Sequence, residues 1–547
     1  MRKMNLVLAL LAFVFSSHAA QLEMKVTKPY LIMPVSQQAE RKTMSFVVKG
    51  ETERTFVIRL SASPEYEVSA DVSRLKGQRL TIQYDGESDA LSLIRQSDVP
   101  AGWDEAYGEE NRPLFHFTTR CGWMNDPNGL VFYEGEYHLF YQHNPYEREW
   151  GNMHWGHAVS KDLLHWEELP EALYPDSWGT MFSGSAVIDY ANISGFGTKD
   201  KPAMVAIYTA DRPGHEVQCV AYSLDKGRTW TKYDGNPVID SKAKWNSGDT
   251  RDPKVFWYAP EKMWVMVLNE RDGHSIYNSP NLKDWTFQSH IVGFWECPEL
   301  FELPVDGDEN NRLWVLYAAS GNYMLGHFDG HQFSPVTGKR AYCFGSVYAA
   351  QTYNNIPVSD GRRIQIGWDR VDQPGMSFKG QMSLPNELTL RTTADGVRLF
   401  CNPVKEMETL NEEPVVAKEN LSIEAANQLL ASYGNEDALH MKVTMQFTHS
   451  TSLGLNLCGQ HVIDYDLNGN RINGFFYSQN DFSQREVSAE IFVDKTSIQV
   501  YFDEGGMSYC IQRDAQRDNK EGFYFWANKP ASISRLELCR MKSIWER

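Results

Sequence analysis

Five apolar runs that end in polar or aromatic residues punctuate the middle of the chain: "YHLFYQ" (137–142), "MVAIYTAD" (204–211), "MWVMVLNE" (263–270), "LWVLYAAS" (313–320) and "IQIGWDR" (364–370). They recur about 50 to 65 residues apart, a period that suits propeller blades better than one long sandwich. A second pattern runs in phase with the first: "SKDLLHW" (160–166), "SLDKGRTW" (223–230), "SPNLKDW" (279–285) and the weaker "HFDGHQF" (327–333). A Ser-x-Asp/Asn turn leading into an aromatic strand fits the outer hairpin of a four-stranded blade. Trp166, Trp230, Trp285 and Phe333 are therefore expected between blades, with the apolar runs as inner strands whose polar ends face a central funnel.

Alternation in "MSFVVKG", "TFVIRLSA" and "RLTIQYDG" predicts a small N-terminal β-domain over 21–107. After 407 a polar segment gives way to "ALHMKVTMQFTH", "AEIFVDKTSIQVYFDEGG" and "EGFYFWANK", short strands that predict a β-sandwich over 408–547. The expected fold class is all-β: a five-bladed β-propeller over 108–407 between these two β-domains.

Composition narrows the function. Acidic residues exceed basic ones by 71 to 53, and the resulting charge of −18 opposes binding to phosphate backbones, which argues against nucleic acid as a partner. The 16 tryptophans need a core or a flat ligand to lie against, and sugars are one such ligand. "MNLVLALLAFVFSS" follows Arg2 and Lys3 and ends before His18-Ala19-Ala20, which reads as a signal peptide over 1–20 rather than a membrane span. A secreted or periplasmic protein is expected, cleaved near Ala19 or Ala20. The eight cysteines lack the paired short spacings of zinc sites, and His154 and His157 lack a third ligand, so no metal is expected.

Three acids keep unusually apolar or aromatic company near the starts of blade strands: Asp126 in "GWMNDPNG", Asp252 in "SGDTRDPKVFW" and Glu296 in "VGFWECPELF". The Asn-Asp-Pro-Asn-Gly stretch reads as a sharp turn. Desolvation would raise the Glu296 carboxyl toward the range a general acid needs, while Arg251 would keep Asp252 ionised by pairing with it. Cys297 is expected in a packing role. Two carboxylates flanking a glycosidic bond suffice for hydrolysis, and a funnel can bring together acids distant in sequence.

"WMNDPNG", "FYQHNP", "WGNMHWGHAVSKDLLHW", "FSGSAV", "RDPKVFW" and "WECPELF" together resemble the ordered motifs of glycoside hydrolase family 32, the invertases, inulinases and levanases. The resemblance implies a retaining β-fructosidase with Asp126 as nucleophile, Glu296 as acid/base and Asp252 as transition-state stabiliser. It further implies that Asn125, Gln142, Trp150, Phe182, Ser183, Arg251 and, at the funnel edge, Trp368 surround a terminal fructosyl unit. No cofactor is called for. Ser346 and Gln499 stand where relatives often carry acids. The activity expected is release of terminal fructose from fructans, with sucrose as a further substrate. Endo-cleavage, fructosyl transfer and a non-catalytic fructan-binding propeller are the alternatives.

Overall fold

The computed structural model describes residues 20–86, 89–104, 106–448, 452–477, 486–514 and 522–545. The expected leader lies outside them except for Ala20. The chain divides into two compact units, Met1–Ala101 and Gly102–Arg547.

In the first unit the three alternating stretches become strands Lys42–Val48, Glu51–Ile58 and Arg79–Tyr84 of one antiparallel sheet, completed by Ala20–Lys25. A second sheet joins Tyr66–Asp71, Tyr30–Val35 and Arg95–Ser97. Met44, Phe46, Ile58, Val68, Leu80 and Ile82 have no exposed surface, as period-two alternation requires.

The larger unit holds the five-bladed propeller. Its innermost strands are Gly122–Tyr133, Thr180–Asp189, Thr250–Tyr258, Glu299–Val305 and Val347–Thr352, each hydrogen-bonded to the strand that carries an apolar run. The apolar runs are thus the second strands of the blades, not the inner ones. They are continuously apolar because neighbouring blades cover both of their faces.

The second repeat forms the outer hairpins as expected. In the first three blades the serine hydroxyl of Ser160, Ser223 or Ser279 bonds the side chain two residues on, and that Asp or Asn caps backbone N–H groups of the turn. In the fourth, Asp329 alone receives the N–H groups of His331 and Gln332. Trp230 packs against a core shared by Phe140 and Trp155 of blade 1 and Met204 and Tyr208 of blade 2. Trp285 does the same between blades 2 and 3, and Phe333 between blades 3 and 4.

The sandwich pairs a seven-stranded sheet with a five-stranded one. Its polar leading segment is ordered: Val416–Ser422 forms an edge strand and Ile423–Leu430 a helix, with the Ser422 hydroxyl accepting the N–H of Ala425. Cys343–Gly345 leaves the propeller to pair in parallel with Met507–Gln512 of the sandwich, so the two share a sheet. Tyr107 belongs with this larger unit, since its ring stacks on Trp545 and its hydroxyl donates to Glu168.

Candidate active site

One distortion recurs at the same level of four innermost strands. Between Met124 and Pro127, Met181 and Gly184, Arg251 and Lys254, and Tyr348 and Gln351, two residues oppose one on the second strand. Such a bulge kinks the strand and re-aims its side chains. The residues it pushes out are Asn125 and Asp126, Phe182 and Ser183, Asp252 and Pro253, and Ala349 and Ala350. Asn-Asp-Pro-Asn-Gly is therefore not a turn between strands but the bulged beginning of one. A second bulge follows at Gly129, where a Cβ would come within 2.7 Å of the Phe140 ring and 3.0 Å of Trp155.

The bulges bring out Asp126 and Asp252, and the loop before the strand Glu299–Val305 brings Glu296 beside them. Ser183 Oγ donates to Asp126 Oδ2 at 2.7 Å, and Asn125 Nδ2 donates to Oδ1 at 3.2 Å. The Cys297 thiol stands between the aspartates, 3.8 Å from Asp126 Oδ2 and 3.5 Å from Asp252 Oδ2, and the Cys297 N–H donates to that same Asp252 oxygen at 3.0 Å. Glu296, beside it in sequence, receives Arg251 Nη1 on Oε1 at 3.0 Å and the Tyr348 hydroxyl on Oε2 at 2.8 Å. Asp252, Glu296 and Cys297 all have left-handed backbones, with φ of 63°, 55° and 40°. That region is disfavoured for residues bearing a Cβ, and three instances at one point mark a constrained site.

The electrostatics differ from the sequence expectation. Arg251 pairs with Glu296, with Glu216 and with Asp249, not by hydrogen bond with its neighbour Asp252. Asp252, only 7% exposed, is pushed up to about 8 by burial and then by the charges of Asp126 and Glu296. Burial also raises Asp126, against the pull of its Ser183 and Asn125 donors. Asp252 is thus the most deeply buried of the three carboxyls, whereas Asp126 keeps an edge toward solvent and the Glu296 side chain is a quarter exposed. The Cys297 thiol is held well above its ordinary value by burial and by the aspartates, so it stays protonated. Its neighbours are carboxyls rather than the apolar packing expected.

The remaining expected residues form the walls. Trp150, 53% exposed, meets Phe182 edge-on at 5.9 Å. Trp368 meets Trp123 at 5.8 Å, and the Trp123 indole donates to Asn125 Oδ1. Gln142 is buried behind the bulge and donates to Met181 O, so it supports the site from the second strand. With its amide assigned from its surroundings, Asn128 accepts from Gln142 and donates to Ser183 Oγ, which leaves the serine proton to Asp126.

Asn128, Tyr348, Thr209 and Asn269 escaped the sequence reading. Thr209 Oγ1 receives the Asp252 N–H and Asn269 Oδ1 the Glu296 N–H, each fixing a strained residue from a second strand. Only the bulge pairing could have revealed them, and sequence periodicity does not carry it. Ser346 donates to buried Asp369, and Gln499 accepts the Leu384 N–H and donates to Tyr501, so both serve the propeller–sandwich seam.

Residues 116–403 match the family described as glycosyl hydrolases family 32, N-terminal domain. The chain belongs to this family. As a family 32 protein it is a glycosidase, and it is 41% identical over 504 residues to a levanase of Bacillus subtilis, covering 83% of this chain and 74% of that one. An extracellular exo-inulinase of Aspergillus niger is 32% identical, over 74% of this chain and 90% of its own. Among solved structures, exo-inulinase from Aspergillus awamori superposes with a TM-score of 0.69 at 28% identity, covering 80% of this family 32 chain and all of that one.

Proposed function

We infer that the enzyme releases terminal β-D-fructofuranosyl units from fructans of the levan or inulin type, and from sucrose, with retention of configuration. The observation that carries this reading is the convergence of Asp126, Asp252 and Glu296 on one point, with Cys297 bridging the aspartates. A retaining glycosidase uses one carboxylate as nucleophile and one as acid/base, about 5 Å apart. Asp126 takes the first role, since Ser183 and Asn125 stabilise its carboxylate while its edge stays open to solvent. Its oxygen attacks the anomeric carbon as Glu296 passes a proton to the departing oxygen, and the glycosidic bond breaks.

In the second half-reaction the Glu296 carboxylate takes a proton from water. The water oxygen bonds the anomeric carbon and the ester to Asp126 breaks, which frees fructose and returns the proton to Glu296. Burial and the charges of Asp126 and Glu296 favour the protonated form of Asp252, which relieves repulsion against Asp126 and prepares it to bond sugar hydroxyls. Asn125, Ser183 and Arg251 complete the polar lining, and Trp150, Phe182 and Trp368 its apolar walls. The leader-like N-terminus supports export to the periplasm or medium.

Product analysis on levan, inulin and sucrose side by side tests the reading. Fructose as the sole early product from a polymer is expected. Early oligosaccharides would replace it with endo-cleavage, and oligomers growing at high sucrose with transfer. Glu296→Gln should abolish hydrolysis while leaving fructan binding intact; undiminished fructose release would remove Glu296 from its role.

A further inference from the structure

The innermost strands all begin at the funnel, so their far ends meet at the opposite mouth of the propeller. The two mouths are separated by a buried ion pair, Lys254 to Glu299 at 2.9 Å, whose ammonium also donates to Thr352 O. Below this plug a second cavity of about 670 Å³ opens at the ends of the inner strands of blades 2, 3 and 4. Its size is that of a small-molecule site. None of Asp126, Asp252 and Glu296 lines it.

Its walls combine aromatic surface with neutralised polar groups. Trp257 is 39% exposed and meets its cross-strand partner Trp264 edge-on at 5.0 Å, and Tyr190 is 56% exposed. The Trp264 Nε1–H behind this wall is a buried donor with no acceptor among the described residues, an omission that costs roughly 1–3 kcal/mol. The Tyr190 hydroxyl accepts from Asn355, which also donates to Phe132 O. Most of the charges are satisfied within the wall: Arg312 pairs with Glu302 at 2.8 Å and Lys254 with Glu299, and the buried Asp189 carboxylate receives the Ser194 hydroxyl and the N–H groups of Ile193 and Ser194. A cation finds no free carboxylate there, and the one guanidinium outside an ion pair among the described lining residues, Arg363, lies over the Phe301 ring and donates to Tyr353 O. A neutral ligand with apolar faces and hydroxyl edges fits, and that is a carbohydrate.

We propose that this cavity is a second, non-catalytic carbohydrate site that holds a segment of the fructan chain through Trp257, Tyr190 and Trp264. The identity of the sugar rests on the proposed function above; the site itself does not. A second foothold converts rebinding of a long chain into an intramolecular event, so it acts on polymer and not on sucrose.

The test uses the full chain in native gels containing levan, inulin or an α-glucan, alongside steady-state kinetics. Trp257→Ala and, as an independent variant, Tyr190→Ala should each reduce retardation by a fructan and raise KM for polymer at least about threefold. Sucrose kcat/KM should remain at the parent value, which also certifies folding. Retardation and polymer KM equal to the parent in both variants, or retardation in the α-glucan gel alone, would overturn the proposal. A parent that releases no fructose from any substrate but is retarded through Trp257 would instead defeat the catalytic reading and leave the site standing.

Discussion

Glu296 is held by two donors from different blades, and Tyr348 is the one that can be removed without touching charge. Burial and then the Glu296 carboxylate raise the Tyr348 hydroxyl above its ordinary value, so it remains a donor throughout the working range. A hydrogen bond to a charged group contributes about 1.5–3 kcal/mol. Tyr348→Phe should therefore lower kcat on sucrose by about tenfold or more, with an unchanged melting temperature; a kcat within twofold of the parent would show that Arg251 alone orients the acid. Asp252 makes a prediction about pH. Its carboxyl is raised from 3.8 to about 8, so the folded protein binds the extra proton between those values and stability falls as pH rises through that window. A shift of that size corresponds to about 6 kcal/mol at most. Asp252→Asn, which mimics the protonated acid, should gain melting temperature relative to the parent between pH 5 and pH 8. A constant difference across that range would mean that Asp252 titrates normally.

At the level of elements, what could be read from sequence was what repeats. Apolar runs and Ser-x-Asp turns recur because each blade solves one packing problem, and so the blade count and the inter-blade aromatics were legible. The bulges were not, because a bulge is defined by pairing: the bulges that hold Asp126, Ser183 and Asp252 line up only when Gln142, Thr209 and Leu268 are seen opposite them. Asn-Asp-Pro-Asn-Gly carries turn chemistry for the same reason it suits a bulge, since both need residues tolerant of broken pairing. Adjacency in sequence pairs Arg251 with Asp252, yet the bulge that begins at Asp252 re-aims its carboxyl toward Cys297 while the guanidinium reaches Glu296. The blade design has a measurable hierarchy. Phe333 is 2% exposed between blades 3 and 4, and Phe333→Ala should cost about 3–5 kcal/mol. Ser279→Ala, which removes only the two turn hydrogen bonds its hydroxyl makes with Asn281, should cost about 1–2 kcal/mol. Denaturant midpoints for the two variants check this order, and equal losses would place the stability of the blade in its turns.

Over the whole larger unit, the sandwich fastens the segment that leads into blade 1. The Trp545 indole donates to Pro113 O, the Ile544 N–H to Leu114 O, and buried Asp494 receives the N–H groups of Leu114 and Phe115 together with His116 Nδ1 at 2.8 Å. This seam was illegible because its partners lie hundreds of residues apart and its polar groups resemble any strand ending. Burial alone would raise Asp494, but the His116 hydrogen bond and charge and the surrounding N–H groups outweigh it and hold the carboxyl below its ordinary value. A depressed acid contributes stability above its unfolded value of 3.8, and that contribution disappears as pH falls through the lower folded value. Asp494→Asn keeps the volume but turns an N–H toward donors that need an acceptor, and breaking a buried pair costs about 3–5 kcal/mol. The variant should therefore melt well below the parent at pH 7, with the gap narrowing as pH drops below 4 and the parent's own carboxylate is protonated. A gap of the same size at pH 3 and pH 7 would show that the seam depends on the shape of Asp494 and not on its charge.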